Sequence, residues 1–183
     1  MSVPSVYQIN LQQQFGGGEV YTRFFTLALI ELGYRVVLFV SRKAGYWNAL
    51  LPSGAEIIRV DDADELPRLL PQERSLVVTQ TALDADAAQW VAERHLLCGF
   101  VHMPLHERNP AGFKHYRHLL AVSQYVLDSV KARGYDAHRC VVFQGHFVVQ
   151  LRDLKPRAPQ FVNDHLVCQS QKFIHALSFL IGL

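Results

Sequence analysis

The run Gln14-Phe15-Gly16-Gly17-Gly18-Glu19 lies between an apolar strand-like segment and an amphipathic helix, where three glycines let backbone come very close to a ligand. The helix that follows presents free N–H groups and the positive end of its dipole, a setting suited to a phosphate or another anion without any cationic side chain. His102 ends a later apolar run, where an imidazole can hydrogen-bond a substrate hydroxyl or phosphate; the alternative is a core histidine with internal partners. Ser123 stands just before a helical segment as its expected N-cap, and Gln144 follows the last strand-like run, so both are candidates for the same rim. His102, His106, His115 and His118 fall within seventeen residues but lack the H-E-x-x-H spacing, so no metal site is expected. No cofactor is required by these residues. No Ser/His/Asp or Cys/His nucleophile set is justified, and Cys98 is expected to be buried at the start of a strand.

Several elements must position these groups. Ser5 to Leu11 reads as a first, imperfectly apolar strand, and Glu19 to Leu32 as a helix burying Val20, Phe24, Leu27 and Ala28, with Gly33 at its C′ position. Arg35 to Val40 (RVVLFV) and Ser75 to Thr79 (SLVVT) read as strands covered on both faces, as in a parallel sheet. Further strands are expected at Glu56 to Val60, Cys98 to Met103, Leu119 to Val122 and Cys140 to Phe143. Helices fall between them: a short one over Asp64 to Leu70, one carrying Leu83, Ala87, Trp90 and Val91 inward, and one carrying Val126 and Val130 inward that ends near Gly134. Strands alternating with helices predict an α/β, Rossmann-like open parallel sheet with helices on both faces, in which ligands gather at the carboxyl ends of the strands. On this reading 1–150 is one domain; 151–159 is a linker, and 160–183 a helical tail with an apolar stripe through Phe173, Ile174, Leu177 and Ile181.

Composition bounds the partners. The chain has 183 residues, is 50% hydrophobic and 19% charged, and carries a net charge of +2, too little to argue for nucleic acid. Its basic residues concentrate between His102 and Arg139, where solvated helix faces or a peripheral contact with a lipid headgroup layer would place them. Cys98, Cys140 and Cys168 form no CxxC pair, and the N-terminus lacks a signal-peptide pattern, so a reducing, cytoplasmic setting is expected.

The glycine run is not a dinucleotide fingerprint. The third glycine of G-x-G-x-x-G is missing, and the second strand ends in Ser41-Arg42 with no acid for a ribose hydroxyl. Arg42 keeps an NADP-dependent oxidoreductase open as one alternative; a non-catalytic α/β module whose tail packs on a partner is another.

Taken in order, Phe15-Gly16-Gly17-Gly18-Glu19, the run Ala28 to Val40, His102, and Leu120-Ala121-Val122-Ser123 followed by Gln124 to Gly134 resemble the N-terminal domain of GT-B glycosyltransferases, the large retaining family that uses nucleotide-sugar donors. The resemblance covers about residues 3 to 147. It implies half of a two-domain architecture, with Gly16, Gly17, Gly18 and Glu19 beside the donor diphosphate or reacting sugar, and His102 as the catalytic-site residue beside acceptor and transferred sugar. It implies a nucleotide-sugar donor and a glycan, lipid or small-molecule acceptor. The chain departs from the family in having Gln144-Gly145-His146 where Asn-Gly is usual, and 151–183 matches none of the donor-domain motifs. A truncated chain, a shifted reading frame, or a half-enzyme needing a missing C-terminal domain or a partner subunit, is therefore expected.

Overall fold

A computed structural model describes residues 4–50, 53–105, 110–136 and 140–142, all within the first compact unit, Met1–Phe143. Gln144, His106 and the expected linker and tail lie outside the described residues.

Seven strands form one sheet, every described pairing parallel: β1 (Ser5–Asn10), β2 (Arg35–Ser41), β3 (Glu56–Val60), β4 (Leu76–Thr79), β5 (Leu96–Val101), β6 (His118–Ala121) and β7 (Cys140–Val142), in the order β3-β2-β1-β4-β5-β6-β7. The helices are α1 (Gly17–Glu31), α2 (Trp47–Leu50), α3 (Leu66–Leu69), α4 (Ala85–Arg94) and α5 (Gln124–Ala132), with short 3-10 turns at Ala63–Glu65 and Ala111–His115. The chain winds outward from β1 to β3, then returns to β4 on β1's other side. The topological switch point therefore lies between β1 and β4, where such sheets open a crevice at their carboxyl ends.

Alternation along the strands sends residues to two faces. Ile9, Val37, Phe39, Val77, Leu97 and Leu119 join Val91 of α4 and Val126 and Val130 of α5 in one core. Leu38 and Val40 point the other way, into a cluster with Ala44 and Trp47. Gln8 and Asn10 of β1 and Phe100 of β5 face α1. Helices thus cover both faces, as RVVLFV and SLVVT predict.

The expected inward stripe of α1 holds at Ala28 and is corrected at its other three positions. Val20 is exposed and Phe24 and Leu27 only half-buried, while Glu19, Thr22, Phe25, Thr26, Ala28 and Leu29 are buried. The reason is polar. Gln8 Nε2 donates to Thr26 Oγ1 (2.9 Å), and Asn10 Nδ2 donates to Thr22 Oγ1 (2.9 Å) and Glu19 Oε1 (3.2 Å), so α1 turns the groups that β1's buried amides need toward the sheet. Each threonine hydroxyl donates in turn to a carbonyl one helical turn back, Gly18 O and Thr22 O, both at 2.8 Å. The helix ends as expected at Gly33 (φ +82°): its N–H bonds Ile30 O and that of Tyr34 bonds Leu29 O, a Schellman closure that needs a left-handed residue.

Other boundaries shift. β5 runs Leu96–Val101 because Leu96 pairs with Leu76 at the start of β4, leaving His102 one residue beyond the strand and Met103 exposed. Leu83 precedes α4, whose N-cap is Asp84, with Oδ1 accepting from Ala87 N at 2.8 Å. His115 and His118 share no helix: one closes a 3-10 turn and the other opens β6.

His95 caps the C-terminus of α4 almost fully buried, and neither ring nitrogen has a hydrogen-bond partner among the described residues. Burial lowers its pKa, and the neighbouring Arg94 adds to this. A histidine whose folded pKa lies below its unfolded value stabilises fully above the unfolded value of about 6.5 and loses that contribution as pH falls through it. His102 shifts in the same direction. Unfolding measured between about pH 7.5 and pH 5.5 should therefore show stability falling, by at most about 1.4 kcal/mol per pH unit for each such histidine. His95→Phe should flatten that dependence; an unchanged slope would refute the assignment.

Candidate functional site

The carboxyl ends of β1, β4 and β5, three neighbouring strands, carry the groups that could do chemistry. The glycine loop follows β1, Gln80 follows β4 and His102 follows β5.

Gly16 is the N-cap of α1, in extended backbone and with no side chain to cap the helix. The N–H groups of the first turn are therefore left for an acceptor from outside the helix. A Cβ added at Gly17 or Gly18 would meet nothing within 4 Å, and neither residue has a positive φ. Among the described residues nothing in the packing requires glycine at those positions. Phe15, exposed, tilts against Tyr46 (ring centroids 5.6 Å), and Tyr46 is held by its hydroxyl on Gln12 O (2.7 Å) and rests on buried Trp47.

Glu19 does not stand in the loop mouth. It is turned toward the sheet, 3% exposed and bonded to Asn10, with Oε2 lying 3.4 Å from where a Gly16 Cβ would be. Its carboxylate still reaches the rim electrostatically. Burial pushes the Tyr46 phenol up to about 12, and Glu19 adds to this. Burial also lowers the His102 pKa, against a smaller opposing pull from the same carboxylate. The half-buried imidazole is thus held neutral near neutral pH. Its Nε2 lies 2.6 Å from Gln80 Oε1, and the rings of Tyr21 and Phe100 pack against it at 5.1 and 6.0 Å.

The structure brings the glycine loop, Glu19 and His102 to one region. Ser123 is the N-cap of α5, its Oγ accepting from Val126 N at 3.3 Å, so its hydroxyl is used where the sequence reading puts it. Arg42 is occupied: Nε donates to Asp61 Oδ1 (3.1 Å) and Nη2 to Arg59 O (3.1 Å) at the β2–β3 end of the sheet. Cys98 is buried and its thiol is pushed up to about 12, leaving it no nucleophile. Among the described residues no three His, Cys, Asp or Glu side chains come together in a way that could hold a metal ion, and no described helix is long and apolar enough to cross a membrane.

Sequence reasoning missed Gln80 and Asn10. Each is a polar residue at or just past the carboxyl end of a strand flanking the switch point, and that position was the available signal.

No known family profile matches the sequence, and no curated protein matches it. Solved structures do. The lipopolysaccharide outer core galactosyltransferase WaaB, in its apo form, superposes with a TM-score of 0.53 at 14% identity over 76% of this chain and 45% of that one. Anabaena HepE, solved with UDP and glucose, gives 0.51 at 17% identity over 76% of this chain and 43% of that one. The chain therefore spans less than half the length of either neighbour. The fold is that of a GT-B glycosyltransferase-like domain, a Rossmann-like α/β sheet.

Proposed function

We propose that this chain is the acceptor-side domain of a glycosyltransferase that moves a sugar from a nucleotide-sugar donor to a glycan, lipid or small-molecule acceptor. One observation carries the reading: an uncapped helix N-terminus, with open space at Gly17 and Gly18, shares the rim of β1, β4 and β5 with a neutral, half-buried histidine. The first-turn N–H groups serve the donor diphosphate, where charge develops as the nucleotide leaves; preorganised donors aimed at that charge lower the barrier. His102 contacts the transferred sugar or the acceptor. Glu19, buried against Asn10, sets the loop's conformation. Gripping the nucleotide falls to a second domain, in the same polypeptide or in a partner subunit, and the basic residues after His102 allow a peripheral membrane contact in the cytoplasm.

The test is an amide-resolved NMR titration of the chain with UDP-glucose, ADP-glucose and GDP-mannose. At millimolar ligand, Gly16, Gly17, Gly18 and His102 should shift together for at least one donor. Shifts confined to other regions would sink the reading. Saturation by NADPH that Arg42→Ala weakens would replace it with the oxidoreductase.

A further inference from the structure

We propose that Gln80 is the positioning residue of His102: its side-chain oxygen takes the ring's Nε2–H and leaves Nδ1 as the ring's hydrogen-bond acceptor, so that the rim selects a hydroxyl over a group that can only accept, such as a phosphate oxygen. Gln80 is well placed to fix the ring. Its own backbone N–H extends the sheet ladder to Ile9 O (3.0 Å), and its residue is 6% exposed. Its Oε1 sits 2.6 Å from His102 Nε2, a short contact between two groups on adjacent strand ends. The amide's own Nε2 is buried without a partner among the described residues, so the glutamine is held there at a cost that an apolar residue would avoid.

A neutral imidazole carries one proton, and the bond made by one ring nitrogen decides the role of the other. With Nε2 donating to Gln80, Nδ1 has a lone pair and no hydrogen. Nε2–H is also the tautomer that free neutral histidine prefers, so the glutamine reinforces an intrinsic tendency. Around the ring, the described neighbours are Gln80 from β4, Tyr21 and Glu19 from α1 and Phe100 from β5. Glu19 alone among them carries a charge, and burial outweighs its pull toward the imidazolium. An imidazole that accepts at Nδ1 binds a hydroxyl and repels the lone pairs of a phosphate oxygen. At this rim the two ligand chemistries therefore separate: anion to the glycine loop, hydroxyl to His102. This last step rests on the glycosyltransferase reading; the tautomer does not.

Long-range proton–nitrogen correlation spectra of the full chain, labelled at its histidines, read the tautomer directly. His102 is assigned by the signals lost in His102→Asn. The wild-type spectrum near about pH 8, above the free histidine range, should show Nε2 protonated and Nδ1 bare. Nδ1–H instead overturns the proposal. Gln80→Glu, nearly isosteric, should raise the pH at which His102 titrates by about one pH unit or more, because a carboxylate at that distance favours the imidazolium. Gln80→Met should let the two tautomers mix. A spectrum and titration unmoved by both substitutions would mean that Gln80 is only a packing residue. Methyl α-glucoside, which has hydroxyls and no anionic group, should move the His102 signals, and inorganic sulfate, an anion with no proton to donate, should not. The reverse pattern, or no response to the glucoside with the tautomer as stated, overturns the hydroxyl step alone and counts against the glycosyltransferase reading.

Discussion

Gly112→Ala is expected to destabilise the domain by about 3 kcal/mol, the upper part of what forcing an extra methyl into a packed interior costs. A Cβ at Gly112 would overlap the carbonyl oxygen of Leu83 and come within 3.0 Å of Asp84 O and 3.1 Å of Ala88 Cβ. The first two are backbone atoms at the N-terminus of α4 and have nowhere to go. Leu83 N is tied to the Tyr116 hydroxyl (3.1 Å), which is also within 3.0 Å of Thr79 Oγ1, and Asp84 caps the helix. The 3-10 turn would have to lift off α4, taking buried Phe113 and Tyr116 with it. Domains have only about 5–15 kcal/mol to lose, so the thermal midpoint should fall by roughly 10 °C. Gly45→Ala is the control, since a Cβ there meets nothing within 4 Å. Equal midpoints for the two variants would show that the turn gives way easily. The same corner explains Gly99, where a Cβ would strike the Tyr116 ring.

That corner was invisible in the sequence, and its invisibility has a physical cause. Gly112, Tyr116, Thr79 and Gly99 are brought together only by strand order, and no local period or spacing marks them. The sheet itself was legible: Val36 to Val40 are all nearly inaccessible, and a run buried on both faces leaves its mark as unbroken apolarity. Caps were legible as well, at Ser123 and Gly33, because their chemistry is local. The direction of α1 was not. Its apolar residues mark two overlapping stripes, Val20, Phe24, Leu27 and Ala28 or Phe25, Ala28 and Leu29, and the second is buried because the same face carries the partners of the buried amides of Gln8 and Asn10, groups that cost about 1–3 kcal/mol if left unbonded. For the site, residue type and strand-end position pointed to the glycine loop and His102. The inward turn of Glu19 and the contact with Gln80 depend on neighbours from other strands, which one sequence does not reveal.

Gly17→Ala is the substitution that separates a ligand loop from a mere turn, because the two accounts predict opposite changes. As the first residue of α1, Gly17 has no positive φ, and a Cβ there meets open space. If the loop only connects β1 to α1, alanine should leave the fold intact and even stabilise it, by up to about 0.5–1 kcal/mol, through the backbone entropy that glycine loses on folding. If the N–H groups of the first turn hold a diphosphate, a methyl at their mouth keeps the ligand at a greater distance and weakens every bond to it. The expected result joins both: an unfolding midpoint equal to or above wild type, and affinity for the responding nucleotide-sugar down at least about tenfold, or about 1.4 kcal/mol. Gly18→Ala should behave alike, its added Cβ also meeting nothing. Gly16→Ala tests a different contact, since its Cβ would rest 3.4 Å from Glu19 Oε2. Unaltered affinity in Gly17→Ala and Gly18→Ala would remove the diphosphate from this loop. Weaker binding by a more stable protein cannot come from misfolding, so the expected pair of results would assign the three glycines to a ligand.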